Sequence, residues 1–172
     1  AASAVTIGTD NNNAGANSVA IGDSITTVSQ DSVVIGQSSS ASGTTSVVIG
    51  KSSSSEGNNG VAIGYSSLIV ANKPDGVAIG YDSAAGTRGV AIGSSNKMTG
   101  TDSVGIGYKN TTTSSDAVII GSETTAGQHG VSVGRKITAS GTRSVSIGSN
   151  VKGNAASAVT IGTDNNNAGA NS

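Results

Sequence analysis

The apolar positions of this chain come in short, widely spaced clusters. Valine and isoleucine sit two residues apart and glycine follows at once, as in VTIG (5–8), VAIG (19–22) and VVIG (33–36). This Val-x-Ile-Gly unit occurs twelve times, once as Val-x-Val-Gly, and ends at Gly8, Gly22, Gly36, Gly50, Gly64, Gly80, Gly93, Gly107, Gly121, Gly134, Gly148 and Gly162. Successive glycines are 14 residues apart, except for a step of 16 from Gly64 to Gly80 and steps of 13 into Gly93 and Gly134. The residue before each valine is always Ser, Gly or Ala. A fixed period of this kind is the mark of a repeat architecture.

In a strand, alternate residues face opposite ways, so valine and isoleucine share one face while the small residue, the variable x and the glycine share the other. Both valine and isoleucine favour strands. The intervening Gly, Ser, Thr and Asn would weaken a helix throughout. The second half of each repeat is softer: SSSASG (38–43), DSAAG (82–86) and KITASG (136–141) suggest a second short strand and a second corner, with glycine for the turns. The pattern therefore predicts an all-β fold, a parallel β-roll or solenoid of about twelve 14-residue coils. Valine and isoleucine are expected to face the roll interior, and the small-x-Gly face to meet other chains. Stacked about 4.8 Å apart, the coils make a rod of roughly 55 Å.

Composition sharpens this. There are 26 Gly, three Tyr and no Phe, Trp or Cys, so the core is thin, and a lone rod of such coils would be marginal. Stability has to come from lateral association or from further coils. The net charge of -1 offers no footprint for nucleic acid. No apolar run is long enough to span a bilayer as a helix. Without cysteine, and with His129 as the sole histidine, thiol, triad and Cys-based zinc chemistry lack their parts. The glycine-rich stretches match neither a P-loop nor a nonapeptide calcium repeat. Asp10, Asn11, Asn12 and Asn13 read as a solvated corner. No enzyme, cofactor or metal is expected.

The units NSVAIGDS (17–24), NGVAIGYSS (59–67) and GVAIGYDSAAG (76–86) resemble the YadA-like head repeats of trimeric autotransporter adhesins. That resemblance implies a left-handed roll and a side-by-side homotrimer on the bacterial cell surface, held to the outer membrane through parts not present in this chain. It also implies adhesion to extracellular matrix proteins, host or bacterial cells, or abiotic surfaces. No stalk or membrane anchor pattern is present. The alternatives are a non-binding spacer rod, an ice-binding solenoid or a phage fibre; the threonines at 111–113 and 124–125 do not continue as the long ladder that ice binding needs.

Residues 1–18 and 155–172 are identical, 154 residues apart. This in-phase duplication suggests a 154-residue module of a longer fibre, continuing after Ser172 as residues 19–30 do. Stacking also makes columns. The position after each glycine reads Lys51, Tyr65, Tyr81, Ser94, Tyr108 in consecutive coils. Tyr65, Tyr81 and Tyr108 are candidates for a partner-binding surface, together with Leu68, Ile69 and Val70 in the 16-residue coil. The position five before each glycine reads Asp75, Arg88, Asp102, Asp116, His129, Arg143, a candidate charge ladder.

Overall fold

The computed structural model describes residues 2–27 and 29–167. Twelve five-residue strands, from Val5–Thr9 to Val159–Thr163, alternate with twelve two-residue strands, from Asn12–Asn13 to Asn166–Asn167. Each set forms one parallel sheet in sequential order, so each coil is one long strand, a corner, one very short strand and a second corner. Equivalent residues stack in register: Val33 on Val47, Ile35 on Ile49, Gly36 on Gly50. Length changes do not disturb this register. The 16-residue step still places Val61 opposite Val77, because the extra residues are taken up in the corner before Gly76, where the Lys73 amide donates to Val70 O. The two 13-residue steps tighten the same corner, with Gly89 N–H donating to Gly86 O and Gly130 N–H to Gly127 O, both at 3.0 Å.

The direction of the two faces is the reverse of the sequence expectation. Valine and isoleucine point out of the roll, half-buried or exposed, and the small-x-Gly face points in. The x column, Ala20, Val34, Val48, Ala62, Ala78, Ala91 and Ile119 among them, is buried in every coil after the first, where Thr6 is exposed. The reason is width. A short strand of two residues leaves a tube one side chain deep, fed by four inward positions per coil, such as Ser32, Val34, Ser39 and Ala41. Two branched residues from each long strand would overfill it.

Inside, size is balanced between neighbours. Met98 is fully buried, and a Cβ placed on Gly105 would lie 2.3 Å from its Sδ. Ile69 fills the space that Gly60 and Gly76 leave, with its Cγ1 2.9 Å from a Cβ on Gly60. The repeat glycine is required by both backbone and space. Gly36 has φ 143°, and a Cβ there would fall 1.6 Å from the carbonyl oxygen of Gly50. The other repeat glycines with a following coil meet the same obstacle.

The corner three residues after that glycine carries a buried polar ladder. Asn110 Nδ2 donates to Ile106 O (3.1 Å) and Gly121 O (2.9 Å), and its Oδ1 accepts from Thr124 N–H. Asn96 does the same one coil earlier, accepting from Asn110 N–H at 3.0 Å. Ser39, Ser53 and Ser67 fill this role elsewhere, each hydroxyl donating 2.8 Å to the repeat glycine carbonyl of the next coil. Buried backbone groups at the corner are thus paired from coil to coil, as burial demands.

Candidate interaction surface

Every long strand contributes a valine and an isoleucine, or in Val131–Arg135 two valines, to one outward strip that runs the length of the rod. Ile49, Ile106, Ile120 and Ile147 are each about two-fifths exposed. By strand geometry the strip is about 53 Å long and on the order of 500 Å², at the upper end of the largest apolar patch on a monomer. The sequence reading missed this surface because it placed these residues inside. Its rim is polar: the residue after each glycine lies on the same pleat phase as valine and isoleucine, and there the chain has Asp23, Gln37, Lys51, Ser94 and Arg135. Apolar centre with polar rim is the composition of a protein–protein interface.

Tyr65 and Tyr81 interrupt that rim. They occupy adjoining rungs and their rings stack, centroids 5.1 Å apart and planes 7° from parallel. Tyr108 stands two rungs beyond Tyr81, with Ser94 between. The Lys109 ammonium lies 5.0 Å from the centre of the Tyr108 ring, and its hydrogen bond to Tyr108 raises its pKa.

The insertion residues do not form one surface. Leu68 and Ile69 make the short strand of their coil, so they face opposite ways. Ile69 is fully buried in the core, which corrects the expectation that it could meet a partner; Leu68 and Val70 are half-buried. The charge column forms in pairs. Arg88 grips Asp102 bidentately, Nε to Oδ1 and Nη2 to Oδ2, both 2.6 Å. The hydrogen bond from Arg88 holds the Asp102 carboxyl below its ordinary value. His129 Nε2 lies 3.3 Å from Asp116, and Asn59 donates to Asp75 at 2.9 Å. These groups sit at αL corners on the surface, where Asn and Asp are enriched but Arg is unusual. Asn11 is spent on backbone, donating to Ile7 O and Gly22 O and accepting from Ile25 N–H. Among the described residues no three His, Asp or Glu side chains gather as a metal site.

A family model described as the YadA head domain repeat (2 copies) matches residues 29–53, 41–67 and 126–150. Residues 29–67 and 126–150 carry YadA head repeats. The matched segments cover five of the chain's twelve Val-x-Ile-Gly units, three in the first block at Gly36, Gly50 and Gly64 and two in the second at Gly134 and Gly148, in the same register as the unmatched coils between them. No curated protein matches the chain.

Proposed function

We propose that these YadA head repeats form a rod segment of a trimeric autotransporter adhesin on a bacterial surface. Three copies lie side by side with their Val/Ile strips turned to a common axis. The observation that carries this reading is the strip itself. An apolar ladder in every long strand, with a polar column along its edge, supports burial against identical neighbours. Each chain then gains from its partners the apolar burial that a one-side-chain-deep tube cannot supply. Adhesion to matrix, cells or surfaces through the outer columns follows, with weak contacts adding across three chains and many coils. The identical 18-residue segments suggest that a 154-residue module sets reach, about 53 Å per module.

The test is the mass of the purified chain in solution by sedimentation or light scattering. Three times the mass of one chain is expected. Ile49→Asp, in the fourth of the twelve long strands that build the strip, is expected to dissociate the assembly. A folded monomer, or an Ile49→Asp chain that stays fully assembled, would sink the trimer.

A further inference from the structure

The tyrosine column is a stack with one plate missing. Tyr65 and Tyr81 show that aromatic rings on successive rungs of this column lie face to face at 5.1 Å. The next rung carries Ser94, and the rung after it Tyr108. Tyr81 and Tyr108 therefore stand two rungs apart, about 9.6 Å by strand spacing. A ring entering between them would sit about one stacking distance from each. Both walls reach solvent: Tyr81 is 57 % exposed and Tyr108, beside the Lys109 ammonium, 42 %.

We infer that Tyr81, Ser94 and Tyr108 form a slot for one pyranose ring of a surface carbohydrate. Two aromatic walls alone would suit an arene as well as a sugar. The polar groups around the slot decide between them. Ser94 sets a hydroxyl at its floor, and the adjoining corner column carries Asp82 on one side and Lys109 on the other. These offer a donor and acceptors to the hydroxyls on a sugar's edge, which an arene would leave unmet. The C–H faces of the pyranose carry partial positive charge and meet the negative faces of both rings. The slot deepens the proposed function by naming a ligand class, and rests on that reading only in being adhesive; its geometry is complete within one chain.

The experiment titrates the purified chain with neutral gluco-, galacto- and manno-oligosaccharides, reading tyrosine fluorescence and the ring NMR signals of Tyr81 and Tyr108. At least one series is expected to shift both rings together. Ser94→Tyr, which supplies the missing plate, is expected to weaken that response at least tenfold while circular dichroism and mass stay unchanged. Tyr81→Ala, which opens one wall, must weaken it as much, and serves alone if Ser94→Tyr does not fold. No response to any series overturns the slot, as does a response that survives the substitutions. So does saturation by a phenylalanine-rich peptide alone, which would make the partner a protein. Mass is measured on each sample: a trimer that binds no sugar removes the slot only, and a monomer that binds sugar removes the trimer only.

Discussion

The pairing of Met98 with Gly105 allows a quantitative test of how the tube is filled. Met98 is buried without exposed surface, and the position a Cβ would take on Gly105 lies 2.3 Å from Sδ, 2.6 Å from Cγ and 2.8 Å from Cε. Met98→Ala leaves a void and should cost about 2–5 kcal/mol. Gly105→Ala pushes a methyl into the thioether and should cost about 1–3 kcal/mol, offset slightly by the gain in chain stiffness. Independent effects would sum to about 3–8 kcal/mol. They should not be independent. One coil earlier, Ala85 and Ala91 occupy the rungs below Met98 and Gly105, and both are fully buried. The double variant rebuilds that arrangement one rung on. It should recover most of the overpacking cost, a coupling of about 1–3 kcal/mol relative to the sum. Guanidinium denaturation at fixed chain concentration measures all four corners of the cycle, since association shifts apparent stability. Additivity within about 0.5 kcal/mol would refute the claim that these two residues share one space.

Three further outcomes are expected. Asn110→Ala leaves two carbonyls and one N–H unpaired in the buried corner and should cost about 1–3 kcal/mol or more, whereas Asn110→Ser, the residue used at Ser53 and Ser67, should cost clearly less; thermal denaturation ranks them. The Ser146 hydroxyl is buried without a partner, so Ser146→Ala should raise stability by about 1 kcal/mol in the same assay. Asp102 titrates lower in the folded chain than in the unfolded one, so its pairing with Arg88 stabilises above the unfolded carboxyl value, about pH 3.9, and is lost as pH falls below it. Asp102→Asn should flatten the acid limb of the melting-temperature profile there, by a small amount because the pair is exposed to solvent, and a profile identical to the parent's would count against the pairing.

The period was legible because each coil must present the same backbone to the next. The glycine column is forced by a carbonyl that leaves no room for a Cβ, and that constraint writes itself into the sequence at every step. The grouping of residues into two faces was legible too, from the strand alternation alone. Their direction was not. Hydrophobicity says which residues avoid water, and not whether a tube or a neighbouring chain removes them from it. One signal could have decided: the x column ranges over Ala, Val, Gly, Ile, Ser and Thr, while Val and Ile hardly vary. Variation that is compensated between neighbours, as at Met98 and Gly105, suits an interior with local freedom. The Tyr65–Tyr81 stack followed from column arithmetic. The burial of Ile69 did not, since a two-residue strand gives no alternation to read.

In-register parallel stacking sets every residue beside its own counterpart in the next coil. A charged side chain at a consensus position would therefore face copies of itself about 4.8 Å away on both sides, all along the rod. Even in water each such pair repels by nearly 1 kcal/mol. The vocabulary of an invariant column is thereby confined to neutral residues, and Val, Ile and Gly obey it. Charge is admitted where successive coils differ, as in the run Asp75, Arg88, Asp102, and the like pair Asp102 and Asp116 is flanked by its partners Arg88 and His129. Imperfection of the repeat is what lets such a filament carry ions at all, and it gives each stretch of an otherwise monotonous surface its own electrostatic address.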